Sequence, residues 1–410
     1  TTLMLFIQIL LQDCILTKTD KLNLTADDAD MNYIISPNAL FNLLDRQLEI
    51  ISKTSPTVVI PDQTFEAIGF EFTMGDIKLA DVDFTNTSGQ SSAASINFAI
   101  EAATIKIVFQ YVYRQQTYPY ASGAGSGTAF LLMDVQLITN VQFSKSCQYH
   151  FEFSQFAPQM QISNFQLQLP DAPAIFQALV NLLTSVFKNI FNGVVGDLLR
   201  GVGDVMNQNL FTTKTVNWIR EAHATDNRYI SFKLDELLFF QTSGQMCSLL
   251  YEANECVGWQ LDHSKVERTH LQFNREVQLQ ISTNSVQSQL DHAKLQGLIT
   301  DNITVLKVVN TGILVQIKGQ GFQAQVLCQL KVKIVPSRNG ADTTTQTFLQ
   351  LQKTLFSSAV VDWVAYFAQV NAAIEECAHS IYTFGFLDDK DMMIAYSSPS
   401  WVVIGLKLLK

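Results

Sequence analysis

The sequence predicts an α+β protein of two tandem barrel-like domains, each a curled antiparallel sheet wrapped around a long helix. Three observations predict it. Strictly alternating segments dominate, and FQAQVLCQLKVKIV (322–335) is the clearest: Phe322, Ala324, Val326, Cys328, Leu330, Val332 and Ile334 share one face, opposite mainly Gln and Lys. Two other stretches repeat apolar residues at helical spacing, each after a run of such strands. The same order (a helix-like opening, several strands, one long helix) occurs in both halves. A sheet curled about a helix in this way leaves a groove that side chains need not fill.

The chain opens on TTLMLFIQILLQDC (1–14). Its apolar run from Leu3 to Leu11 suits a signal-peptide core and falls short of the roughly 20 residues that span a bilayer. Residues 1–30 read as a retained extension packing on the body or a neighbour, or as the tail of a longer hydrophobic segment. The first domain is 31–221. Ser36-Pro37 opens its first helix, Ser as N-cap and Pro in the first turn, with Leu40, Leu43, Leu44, Leu48 and Ile51 as the apolar stripe. Strands follow at 69–84, 95–114, 127–146 and 147–169, and a change of face near Ala103 predicts a bulge. PYASGAGSG (119–127) reads as a glycine-rich turn with no helix after it, hence no phosphate cradle. From Asp171, the expected cap, a long helix runs to about Asn209 along Phe176, Leu179, Leu183, Phe187, Ile190, Phe191, Val194 and Leu198. A polar linker, 222–228, leads to the second domain, 229–410. Strands are expected at ISFKL and near 269–282, 302–309, 312–318 and 322–335. Phe356, Val360, Trp363, Val364, Phe367, Val370, Ile374, Cys377 and Ile381 mark the second long helix, and SWVVIGLKLLK (400–410) is the closing strand.

Only 16% of residues are charged while 47% are hydrophobic, and 27 basic against 37 acidic residues leave a net charge of −10. No basic stripe is available to neutralise phosphates, so nucleic acid is excluded as a partner, and attraction to anionic membranes or lipopolysaccharide is disfavoured. The histidines form no HExxH, no GxSxG elbow occurs, and Asp388, Asp389 and Asp391 lack the EF-hand pattern and read as a solvated loop near a turn. No enzyme activity, metal or cofactor is expected. Cys14, Cys147, Cys247, Cys256, Cys328 and Cys377 contain no CxxC pair. Their even number, with sequons at Asn23, Asn86 and Asn302, points to the secretory pathway and a secreted, lumenal or membrane-associated location. Six reduced, buried thiols are the alternative.

MNYIISPNALFNLLDRQLEIISKTSPTVVIPD (31–62) resembles the amino-terminal opening of the tubular lipid-binding superfamily: a short strand, a helix, then a run ending in Ile-Pro-Asp. The resemblance is to the group of bactericidal/permeability-increasing protein, lipopolysaccharide-binding protein and the plasma lipid-transfer proteins. FEFTMGDIKLADVDF is similar to the next strand, LDELLFFQTSGQMCSLLYEA (234–253) to the start of the second domain, and 400–410 to the closing strand. The likeness spans 31–410, by order and pattern more than by identities. It implies a boomerang whose domains join through a central sheet, each with an apolar pocket for the acyl tail of a phospholipid or other lipid. Candidate liners are Leu40, Leu44, Phe70, Phe72, Leu183 and Phe187 in the first domain, and Phe239, Phe240, Val326, Val364 and Phe367 in the second. Burying a chain of about 15 methylenes gains on the order of 12 kcal/mol at ~0.8 kcal/mol each.

Two departures stand out. Only 212–228 separates the long helix from the second domain, which implies a smaller central sheet or a different angle between domains. The family's disulfide ties a strand of the first domain to its long helix; Cys147 fits the strand side, but 172–209 holds no cysteine. By analogy, Cys328 and Cys377 are expected to bridge in the second domain, with Cys247–Cys256 and Cys14–Cys147 as one choice for the rest. The implied function is lipid binding or transfer. The other reading is a structural subunit of a larger extracellular or membrane-associated assembly, with other subunits meeting residues 1–30; the apolar extension and charge-poor surface suggest it.

Overall fold

A computed structural model describes residues 29–36, 59–67, 69–84, 87–92, 95–143, 151–170, 216–220, 223–226, 229–234, 237–248, 273–336, 343–382, 387–397 and 399–408, with scattered helical residues between 39 and 53 and between 188 and 200. In chain order the strands are β1 (Met31–Ile35), β2 (Val59–Ile60), β3 (Gln63–Ala67), β4 (Phe70–Asp83), β5 (Thr87–Ser92), β6 (Ser95–Gln115), β7 (Ser122–Phe143) and β8 (Phe151–Gln168). Next come β9 (Val216–Arg220), β10 (His223–Asp226), β11 (Tyr229–Leu234), β12 (Leu238–Thr242), β13 (Met246–Ser248), β14 (Val277–Ser282) and helix α1 (Thr283–Leu295). β15 (Asn302–Val309), β16 (Gly312–Gly319), β17 (Phe322–Pro336), β18 (Thr343–Ser357), helix α2 (Trp363–Glu376), β19 (His379–Tyr382), β20 (Leu387–Ser397) and β21 (Trp401–Leu408) complete the chain.

Sheets dominate, and helices are few among the described residues. The first large sheet runs β2-β4-β6-β7-β8, with β3 on β4 and β5 on β6, every pair antiparallel. Its strands alternate buried and solvent-facing residues over their whole length, so one face is dry. Bulges curl it, because an extra residue on one strand raises the local twist. One lies between Ile100 and Ala103, where sequence alternation predicts it. There Ala102 has φ 55° and its N–H donates to Asp134 Oδ1 at 3.0 Å. A second sheet, β15-β16-β17-β18-β19, forms the other half.

Between them lies a six-stranded sheet, β11-β12-β1-β14-β21-β20. Its two middle strands run antiparallel with Tyr33 opposite Leu279, and each is flanked by a hairpin, β11-β12 on one side and β20-β21 on the other. This order reads the same from either edge. The equivalence extends to hydrogen bonds: Ser36 N donates to Glu276 O at 2.8 Å, and Ser282 N donates to Asp30 O at 2.9 Å. Both serines cap helices. Ser36 Oγ accepts from Ala39 N (3.2 Å), and Ser282 Oγ accepts from Asn284 N (3.1 Å) and Ser285 N (3.2 Å). One face of this sheet packs Tyr33, Phe240, Leu279 and Ile404; the other carries a polar row, Ser231–Gln241–Asn32–Gln280, joined side chain to side chain.

Several expectations need correction. The second long helix is shorter than its stripe. Phe356 lies in β18, Val360 in the following turn and Ile381 in β19, and only 363–376 is helical. The stripe is interrupted because β18 pairs with β17 out to Ser357, and Asp362 then caps α2 by accepting from Val364 N and Ala365 N, both at 3.1 Å. Helix α1 is unexpected, since TNSVQSQLDHAKL carries only a thin apolar stripe, Val286, Leu290 and Ala293, among polar residues. Gly123, Gly125 and Gly127 belong to β7 rather than to a turn. Asp388, Asp389 and Asp391 lie in β20, where the register shifts between Asp388 and Met393. Residues 223–226 of the expected linker form β10, which pairs with β9 and β13. Of the helix expected from Asp171 to Asn209, the described part, between 188 and 200, is helical.

Candidate lipid-binding face

The dry face of β4, β6, β7 and β8 is one continuous apolar surface. Met74, Ile77 and Leu79 of β4 continue into Ile105 and Ile107 of β6, then Ala129, Leu131 and Met133 of β7, all buried. Met160, Ile162 and Phe165 of β8 pack beside them, half-buried. Buried Val195 and Leu199 come from the helical residues near 188–200, and Met160 Cε lies 3.2 Å from where a β-carbon on Gly196 would sit. At the 82–98 end, Phe41 crosses Phe98 edge-on at 5.5 Å, and Leu48 is buried. At the hairpin end the lining turns aromatic, with Phe65, Phe72 and Tyr113 opposite one another across three strands. A separate open cavity of about 460 Å³ beside Leu48 and Phe84 is edged by Asp45, Glu49, Ser52, Asp83 and Thr87, a polar lining unsuited to an acyl chain.

The dry face of the second half is equally apolar, with Val305, Ile313, Val315, Val326 and Leu349 buried. Helix α1 meets it differently. Its Ser285, Gln287, Ser288, Gln289 and His292 are all fully buried. Gln287 serves the outer edge of β15: Oε1 accepts from Val305 N (2.7 Å) and Nε2 donates to Ile303 O (3.1 Å). Gln289 serves β18 where β19 has stopped pairing: Oε1 accepts from Leu349 N (3.2 Å), and Nε2 donates to Thr347 O (3.1 Å) and Cys377 O (3.0 Å). Residues two apart on a helix point roughly 200° from each other, so a single turn links two strands that do not pair. Asn371 of α2 continues the seal, accepting from Leu351 N (2.7 Å) and donating to Leu351 O (3.2 Å). His379 Nε2 donates to Ser285 O at 2.8 Å, and burial holds its pKa down at about 4, with His292 adding to the effect and the Ser285 bond opposing it.

No protein-family model and no curated protein matches this chain. Among solved structures it is similar to lipopolysaccharide binding protein, at TM-score 0.57 and 9% identity over 92% of this chain and 98% of that one. P47 of Clostridium botulinum E1 aligns at TM-score 0.28 and 12% identity over 93% and 99% of the two chains, and Takeout 1 of Epiphyas postvittana at 0.24 and 12% over 39% and 88%. The first likeness decides the fold. This chain has the fold of lipopolysaccharide binding protein.

The expected liners divide within this fold. Phe72 is buried on the dry face of the first sheet, and Phe70 is half-buried 6.2 Å from it. Val326 is buried on the dry face of the second. Phe367 is half-buried in a cluster with Trp363 and Tyr366. Val364 is 83% exposed and lines no interior, because α2 begins at Trp363 and turns Val370 and Ile374 to the sheet. Phe239 and Phe240 sit in β12 of the central sheet, paired with β1, and Phe240 packs on Tyr229 at 5.4 Å. Leu40, Leu44, Leu183 and Phe187 lie outside the described residues, as do Cys14, Cys147, Cys256, Asn23 and Asn86; Cys247 lies in β13, but its side chain is among those not described. Asn302 is exposed at the start of β15, where its side chain accepts from Lys294 Nζ.

The expected Cys328–Cys377 bridge is not formed. Both thiols are buried, Cys328 in β17 opposite Leu351 of β18 and Cys377 at the C-cap of α2, before β19 begins.

Proposed function

We propose that this protein is a non-catalytic lipid-binding protein that holds the acyl chains of a phospholipid-like lipid inside two tandem barrel-like units joined by the central sheet. The continuous apolar face of β4, β6, β7 and β8 carries the reading, on a sheet whose bulges curl it around that face. Apolar walls retain a chain through area removed from water, with no charged contact needed. A net charge of −10 favours a neutral or zwitterionic lipid over an anionic one here. Secretion or lumenal residence fits the exposed Asn302 sequon.

Organic extraction of detergent-free protein, followed by mass spectrometry, tests the reading. About one lipid per apolar unit is expected, and protein that releases none overturns it. A second reading, a scaffold subunit of a larger extracellular or membrane-associated assembly, is favoured by the apolar end at β18 and α2, where Leu355, Phe356, Val360 and Val364 are exposed. Light scattering on the purified chain separates the two, since a lipid-bearing monomer argues against the scaffold.

A further inference from the structure

Along β6, Phe109, Tyr111 and Tyr113 point to the dry face, and their partners across the ladder on β7 are Gly127, Gly125 and Gly123. Each ring lies over its glycine. A β-carbon at Gly123 would sit 2.5 Å from Tyr113 Oη, at Gly125 2.6 Å from Tyr111 Oη, and at Gly127 2.4 Å from Phe109 Cζ. None of the three has the positive φ that makes glycine necessary elsewhere in this chain. Space for the rings, not backbone conformation, is what these positions require. On the other side Tyr113 meets Phe72 at 6.4 Å, and Phe72 stacks on Phe65 at 5.3 Å. Away from the hairpin the same face becomes aliphatic, with Ile107, Ile105, Leu131 and Met133 in succession.

We propose that the aromatic rings of β6 laid over the glycines of β7 form the closed end of the acyl site and set the length of chain it accepts. This rests on the lipid-binding reading above. A chain lying along the strands meets aliphatic walls until its terminal methyl reaches the rings. Rings folded flat onto a glycine strand leave more depth than rings standing upright, so the glycines fix where the stop falls. One step between successive rings is about 6.8 Å of strand, the length of roughly five methylenes.

The test compares acyl-chain lengths extracted from the wild type, Phe109→Leu and Gly127→Ala, each produced in the same host. Phe109 is the first ring beyond Ile107, and Phe109→Leu moves the stop back to Tyr111, so the distribution is expected to shift to longer chains by up to about five methylenes. Gly127→Ala lifts the Phe109 ring off β7 into the interior and is expected to shift it to shorter ones. If Gly127→Ala does not fold, Phe109→Leu decides alone. Folded, lipid-bearing variants with the wild-type distribution overturn the length stop and leave lipid binding standing. A wild type that carries no lipid overturns the reading beneath it, and that result is in hand before any variant is compared.

Discussion

His379 and Cys328 show how burial alone sets chemistry at single residues in the second half. His379 is neutral in the fold, its pKa lowered from 6.5 to about 4 mainly by desolvation. The unfolded chain therefore binds a proton that the folded one refuses as pH falls below 6.5. Its contribution to stability is whole above pH 6.5 and is lost progressively down to pH 4. Urea unfolding at pH 7, 5.5 and 4.5 is expected to show this loss, and His379→Gln is expected to flatten it; an equal slope in the variant would assign the effect elsewhere. Burial pushes the Cys328 thiol well above its ordinary range. Native protein at pH 8 should leave Cys328 unlabelled by maleimide, with modification only after denaturation, as peptide mapping would show. The dry face bearing Cys328 is legible in its alternating strand. The partner expected for it is not, because shared apolar character says nothing of level along a sheet.

Elements divide by the kind of signal that forms them. The long strands and the capped start at Ser36 follow from alternation and capping chemistry, both local. Helix α1 could not be found this way. Its apolar stripe is only Val286, Leu290 and Ala293, and the rest of its buried surface is polar and held by hydrogen bonds, which periodicity does not measure. The glycines of β7 mislead for a related reason. Alone they signal a turn, and only their register with Phe109, Tyr111 and Tyr113 reveals a strand; the period of two in SGAGSG, facing aromatics at the same period in β6, is the trace that could have been read. If α1 seals the sheet as described, Gln289→Leu strands Leu349 N, Thr347 O and Cys377 O in the interior. A loss of about 3 kcal/mol is expected, measurable by chemical denaturation, while a loss under about 0.5 kcal/mol would mean that the amide is dispensable.

At the scale of the whole molecule the central sheet joins the halves, since β1 takes both its neighbours, β12 and β14, from beyond residue 221. A fragment ending at 221 leaves β1 without either. Residues 31–221 are expected to show no cooperative thermal transition by circular dichroism, and a sharp one would make the first half independent of the sheet. The internal symmetry leaves a faint mark in sequence: Ser36, Asn38, Leu44 and Asp45 recur at the same spacing as Ser282, Asn284, Leu290 and Asp291. Sequence by itself determined the sheet-dominated fold, the one-sided strands, the first helix cap, the bulge near Ala103 and the charge that disfavours anionic partners. These depend on neighbours along the chain or on totals over it. Only the tertiary structure decided which strands form the central sheet, that a polar helix seals the second half, that Phe239 and Phe240 belong between the halves, and that Cys328 and Cys377 stay apart. Each of those depends on distances between residues far apart in sequence, and the free energy that fixes them comes from packing and hydrogen bonds that no local pattern encodes.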